Sequence, residues 1–373
     1  MPREELVEMT LSANIMSRRG LIGGGLAAGL MPYTLQAQAQ APTPIELLVT
    51  NSLVAGPLRT TVEQEAGVTI TDSPWQSSTD AVSRVAAPGG TSRWDLACST
   101  YDFSKPVIMG AKTGDEKVRP IDLSLVPNLQ HVTNESKAGI GERDGKTYML
   151  PLCWGFDTVL YNKTAVPEND PFTQSWAPLF EDKYAGKIGW WDVAHQMLMA
   201  AGLYMGHKEP EKMDRAQLDE VAKFLISRKK NVRTMFTTFA QGSALLASGE
   251  IVVGFGIVPM RVDLQNRGFP ILGAFAKEGV LSLIIALYIP KDAKQHVAAA
   301  RVINAMLGGQ YGGQLTRATG YISASKLAEA GLSPDERKAF GYGIFDGSVK
   351  HYLLKFPTNM NMWIEAWSRV KSA

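Results

Sequence analysis

The sequence predicts an α/β protein built on largely parallel sheets. Strand-like apolar stretches alternate with stretches of helical periodicity along most of the chain. Its 373 residues suffice for two domains of ordinary size or one large one. No repeat, low-complexity tract or flexible linker breaks the pattern, so two domains would have to share strands that cross between them. Apolar residues make up 45% and charged residues 20%, the proportions of a soluble protein with a sizeable core.

The elements follow in order. "PIELLVTNS" reads as a first strand, and "GPLRTTVEQEAGVTITDSP" as a helix and second strand with Gly67 at the turn. "RWDLACSTY" is a buried strand ending at a Ser-Thr pair suited to start a helix. "ERDGKTYMLPLCWGFDTVLYNK" is a hairpin whose turn is Asp144–Gly145. "GKIGWWDVAHQ" hands a short strand to a helix, and its two tryptophans must face opposite sides of that strand. Helices are predicted through "MDRAQLDEVAKFLISRK" and "FAQGSALLASGE", strands at "IVVGFGIV" and "LSLIIALYIP", then helices over 292–307, 323–340 and 349–373.

The N-terminal stretch has the layout of an export signal of the twin-arginine kind. Arg18–Arg19 follow Ser17, a glycine-rich apolar run spans Leu21 to Met31, and small-residue cleavage signals come next. Cleavage is expected after Ala39, with Met16 a candidate true start. A membrane anchor would need about 20 apolar residues, more than this run supplies. Export places Cys98 and Cys153, the two cysteines, in an oxidising compartment, where a bridge and two buried free thiols are both open. A net charge of about +2 gives no basic field for nucleic acid.

Signals for catalysis, metals and cofactors are absent. "GIGERDGKT" leaves five residues after Gly139, or three after Gly141, before its Gly-Lys-Thr, where a phosphate loop needs four. A strand follows it rather than a helix. The five histidines have no partner at ligand spacing, and no nucleophile elbow occurs. No enzyme activity, metal or cofactor is expected.

Six stretches together resemble the periplasmic solute-binding proteins of ABC importers, in their spermidine/putrescine-binding branch: "WDLACSTY" (94–101), "DGKTYMLPLCWGFDTVLYNK" (144–163), "SWAPLFEDKYAGKIGWWD" (175–192), "LLASGEIVVGFG" (245–256), "KEGVLSLIIALYIPKDA" (277–293) and "ATGYISAS" (318–325). The resemblance implies the two-lobe fold of type II binding proteins. Residues 43–156 and 285–326 would form one lobe, and 157–284 and 327–373 the other. Crossing strands are expected near 157–161, 280–285 and 326–330, with ligand in the cleft between lobes and hinge closure around it. It further implies a periplasmic monomer that delivers a small molecule to an inner-membrane permease and its ATPase.

Polyamine receptors of this branch grip ammonium groups with carboxylates and flank the methylene chain with aromatic rings. Tyr101, Tyr321 and Trp154 fall on aromatic positions of that pattern. Elsewhere the pattern is lost. Val193 and Gln196 stand where acids are expected, Leu283 and Ile285 on a tryptophan and an aspartate, Ile257 on another tryptophan, and Ser52 and Leu53 on an acid and a tyrosine. At roughly 1.5–3 kcal/mol per charge-assisted bond, three lost contacts weaken polyamine binding on the order of a thousandfold. The ligand is therefore expected to be a mono-amine, a zwitterion or an organic acid. Trp191 would supply an aromatic wall, and Asp192 one acidic handle or a helix N-cap. Asn51, Ser52, Ser99, Thr100 and Tyr101 would line the site, with an anionic group at the 99–101 helix start. Arg261 is a carboxylate or phosphonate partner, or else a surface residue. A true polyamine receptor and an exported enzyme without recognisable motif are the alternatives.

Overall fold

The computed structural model describes residues 41–373 apart from Gln76. The stretch read as an export signal, with its arginine pair and expected cleavage point, lies outside the described residues. Strands β1 (Thr43–Val49), β2 (Val68–Pro74) and β3 (Leu96–Thr100) alternate with helices α1 (Pro57–Ala66), α2 (Ser78–Ala86) and α3 (Tyr101–Ile108). β1 pairs in parallel with both β2 and β3. Leu47 and Val49 enter one apolar core while Leu48 enters another, so this sheet is covered on both faces.

The expected hairpin joins β4 (Gly141–Arg143) to β5 (Lys146–Asn162). Asp144 (φ 51°) and Gly145 (φ 70°) both adopt the left-handed conformation that a two-residue hairpin turn demands. β5 then continues for 17 residues. A second α/β half follows: β6 (Ile188–Trp191), α4 (Ala194–Tyr204), α5 (Arg215–Arg228), β7 (Val232–Phe236), α6 (Phe239–Ser248), β8 (Val253–Ile257), α7 (Val258–Asn266) and β9 (Ile271–Gly273). β6 lies parallel to β7 and β8. The chain returns through β10 (Val280–Tyr288), α8 (His296–Met306), α9 (Gly309–Thr319) and β11 (Ile322–Ser323), and ends in α10 (Pro334–Phe340), β12 (His351–Leu353) and α11 (Met360–Ser372).

Strand order is β2-β1-β3-β10-β5-β8-β6-β7. The sheets are parallel within each half but antiparallel where the halves meet, which corrects the expectation of largely parallel sheets. β10 runs against β3 and β5, and β5 against β8 and β9. Chains that leave one half and return to it must cross in opposite directions, so their pairing is antiparallel by necessity. β5 and β10 are those crossing strands. Residues 326–330, expected as a third crossing strand, lie instead in a 3-10 helix over Lys326–Gly331, capped by the Ser325 hydroxyl. Its alanines and glutamate favour helical turns over strand.

Two predicted helices are shorter than expected. Within 323–340, a Ser333 capping box and Pro334 start a separate helix. In the last stretch, His351–Leu353 adds a strand beside Val280–Ser282 of β10, and helix begins only at Met360, beyond Pro357.

The register answers the cysteine question. Cys98 sits opposite Leu287 and Cys153 opposite Ile285, on the two flanks of β10. Two inter-strand spacings, about 9.5 Å, exceed the roughly 7 Å Cα separation a disulfide tolerates. Both thiols are free and buried, and burial pushes Cys98 up to about 12. Denatured, unreduced protein should therefore titrate two thiols per chain, and the folded protein none. A single bridged pair in the denatured count would contradict this register.

Candidate functional site

β1, β3, β6 and β8 each end at the start of a helical segment: the 3-10 turn Asn51–Leu53, α3, α4 and α7. Open α/β sheets bind ligands at such carboxyl ends. β5 crosses the same level. Its register places Asp157 opposite Leu281 of β10 on one side and Ile257 of β8 on the other.

Asp157 is fully buried. Burial pushes its carboxyl from 3.8 up to about 7, against a hydrogen bond from Gln196 that lowers it. Gln196 Nε2 donates to Oδ2 at 2.6 Å, whereas Oδ1 has no partner among the described residues. The orientation of Gln196 is fixed from its other end. Trp191 Nε1 donates to Gln196 Oε1 at 2.9 Å, and an indole can only donate. The amide nitrogen must therefore face the carboxylate. Trp191 is held in turn by stacking on Phe239, with centroids 4.5 Å apart and planes 12° from parallel. Its neighbour Trp190 points the other way. It is fully buried, donating to the Leu179 carbonyl at 2.8 Å, with Trp367 6.3 Å away.

Gly155 lies on the same face as Asp157, two residues earlier. A Cβ there would stand 2.7 Å from Tyr321 Cε1 and 3.3 Å from Leu283 Cδ1. The missing side chain lets Tyr321 and Leu283 close over the strand beside the carboxylate. Tyr321 is raised far above its ordinary range, chiefly by burial, with the Asp157 charge adding to it. The wall around Asp157 is thus Trp191, Tyr321, Leu283 and Ile257, with one amide donor.

A second, half-buried acid stands at the start of α3. Burial raises Asp102 from 3.8 to about 6, although Lys355 and Lys105 pull it down. Its Oδ2 is also without a partner. Beside it, Phe103 meets His195 of α4 (5.3 Å) and Phe356 (4.5 Å), which brings the starts of α3 and α4 together. Burial pushes His195 down to about 4, so the ring is neutral at pH 7.

Of the residues singled out in the sequence, Trp191 and Tyr321 come together at Asp157. Asn51 is exposed and Ser52 half-buried on the turn after β1. The others have different partners. Asp192 does not cap α4, whose N-cap is Val193. Its oxygens are taken by Trp367 Nε1 (2.6 Å) and Lys371 Nζ (3.0 Å), so it offers no free acidic handle. Ser99 is internal, bonded to Tyr288 at 2.9 Å and to Ser104. The Thr100 N–H and hydroxyl both meet Ser78 Oγ, and the Tyr101 phenol joins the Ile140 carbonyl to Lys105. The side chains of 99–101 and the Thr100 N–H are therefore engaged within the protein. Trp154 donates to Ser136 at 2.7 Å on the opposite face of β5 from Asp157. Arg261 is no surface residue: it is buried in α7 and donates to the Ala339 carbonyl at 3.0 Å.

Sequence reasoning missed Asp157, Asp102 and Phe103, and read Gln196 only as a loss. The signal was there for Asp157. It is the one charged residue between Lys146 and Lys163, inside an apolar strand buried on both faces. A buried strand carboxylate needs a partner or a purpose.

No group of three or more metal-ligating side chains occurs among the described residues, and no helix there is long and apolar enough to cross a membrane.

Asp157 should leave a mark on stability. Its raised pKa favours folding fully below about pH 4, and that contribution is lost as pH rises through 7. In ligand-free protein, Asp157→Asn should thus gain on the wild type between pH 4 and 8, by about 2–4 kcal/mol, in urea unfolding. A constant difference across that range would contradict the shifted carboxyl.

Residues 58–339 match the family model described as bacterial extracellular solute-binding protein. The chain is 26% identical over 301 residues to spermidine/putrescine-binding periplasmic protein 1 of Haemophilus influenzae, covering 80% of each. Among solved structures, the spermidine/putrescine ABC transporter substrate-binding protein of Streptococcus pneumoniae superposes with a TM-score of 0.75 at 18% identity, over 88% of this chain and 99% of that one. The Atu4243 GABA receptor gives 0.64 at 17% identity, over 88% and 97%. By this match over most of its length the chain belongs to the bacterial extracellular solute-binding proteins, solute receptors rather than enzymes.

Proposed function

We infer that the chain is the receptor of an ABC importer for a small solute bearing one ammonium group, a mono-amine or a zwitterion such as an amino acid. The observation that carries this is the unpaired Oδ1 of Asp157 at the crossing of β5. An ammonium there would meet an ionised carboxylate in a dry site, where such a contact is far stronger than at a surface. Trp191 and Tyr321 would flank the carbon chain, with Leu283 and Ile257 as an apolar wall. An organic acid without an amine fits less well, because it would set its own charge against the buried Asp157 carboxyl. The GABA receptor shares the scaffold, so a ligand other than a polyamine needs no change of fold.

One observation favours a second reading. Asp102 Oδ2 is also buried and unpaired, and could take the far end of a diamine. The relative from Haemophilus influenzae is named for spermidine and putrescine. Lys355 and Lys105 near Asp102 oppose this, since they already lend it positive charge.

In this role the chain acts as an exported monomer, handing its solute to a permease and ATPase and requiring no cofactor. A thermal-shift panel of putrescine, spermidine, GABA and amino acids tests the ligand class against wild type, Asp157→Asn and Asp102→Asn. A mono-ammonium ligand should stabilise the wild type and Asp102→Asn, but not Asp157→Asn. Stabilisation by putrescine alone, lost in both variants, would establish the diamine reading instead.

Affinity should also depend on pH. The ammonium needs Asp157 ionised, and with a carboxyl near 7 the competent fraction falls on acidification. Binding should weaken about tenfold from pH 8 to pH 6. Of the facing groups, His195 titrates lower, near 4, and Tyr321 well above this window. Asp102 changes charge near 6, but in this reading it does not meet the ammonium. Calorimetry showing equal affinity at both pH values would contradict an ionising anchor.

A further inference from the structure

On the face of β5 opposite Asp157, a groove of about 1320 Å³ opens between residues 132–135, 261–275 and 326–349. At its wall lies Arg261, only 8% exposed. Among the described residues its one hydrogen bond runs from Nη1 to the Ala339 carbonyl, and Nε is buried without a partner. No carboxylate of the described residues forms an ion pair with it. Burial alone pushes the guanidinium down to about 10, with no opposing charge holding it up. The chain also makes room for this side chain: a Cβ on Gly273 would stand 3.3 Å from Arg261 Cδ.

A guanidinium carries five donors in a planar fork shaped for carboxylate and phosphate oxygens. A buried cation is expected to be paired. Here the protein supplies a single neutral carbonyl, and the remaining edge borders open space.

We propose that this groove is a second ligand site, distinct from the Asp157 cleft, which takes the oxyanion of a small carboxylate or phosphate on Arg261. Lys326, Arg337 and Lys338 line the same groove and add positive charge. Glu135, Glu168, Glu329, Asp335 and Asp346 line it too and outnumber its four cations, so selectivity for an anion rests on Arg261, the buried one among them. Since the groove joins segments from both sides of the crossing strands, an anion there would tie them together.

The test is a thermal-shift and calorimetric titration of the purified chain with sodium phosphate and sodium malonate. Ionic strength is held constant with sodium chloride. The variants are Arg261→Met, Arg261→Gln and, as a control for the cleft, Asp157→Asn. A saturable rise of two degrees or more is expected with at least one probe, in wild type and in Asp157→Asn alike, and absent from both Arg261 variants. A response to malonate alone assigns a carboxylate ligand, and to phosphate alone a phosphate ligand. The proposal is overturned if neither probe gives a saturable response in the wild type, which leaves Arg261 as a cap on α10, or if the Arg261 variants respond as the wild type does. Because the wild-type titration can overturn it alone, an unfolded variant does not protect the idea. Loss of the response in Asp157→Asn would also overturn it, by making the two sites one.

Discussion

The structure depends on one strand being continuous. β5 pairs with β10 and β11 in its first half and with β8 and β9 in its second, with no break in extended backbone between them. A strand shared in this way must be apolar on both faces, because sheet and helices cover it throughout its length. Asp157 interrupts that rule at the point where the pairing changes. Its position is therefore fixed by main-chain hydrogen bonds on both flanks, not by the mobility of a loop.

That rigidity matters for recognition. The carboxylate is oriented by Gln196, Gln196 by the Trp191 indole, and Trp191 by its stack on Phe239. Each link has a single allowed sense, since the indole donates and the amide oxygen accepts. A preorganised acceptor loses little freedom when a ligand arrives, so more of the contact energy remains as affinity. The acid on the crossing strand thus has a glutamine as its support.

Much of the fold was legible, because it is written in local patterns. The Asp144–Gly145 turn, the alternation at Leu47–Val49 and the buried Trp190 opposite Trp191 all follow from strand geometry. The antiparallel crossing and the late strand at His351–Leu353 were not legible, since both depend on pairing with residues far along the chain. The site was harder still. Asp192 looked available in sequence, but Trp367 and Lys371, about 175 residues later, claim its oxygens. Arg261 read equally well as exposed or engaged until α10 closed over it. For Asp157, composition did carry a signal: a lone acid in a long buried strand is expensive, and that expense marks it.

The central claim is that Asp157 is a buried, half-ionised anchor which an ammonium ligand ionises. Carbon-13 NMR of the aspartate carboxyls follows it directly, with Asp157→Asn providing the assignment. In ligand-free protein the Asp157 resonance should titrate near pH 7, and a saturating mono-ammonium ligand should move that midpoint below 5. A midpoint near 4 without ligand, or one that ligand leaves in place, would contradict the account.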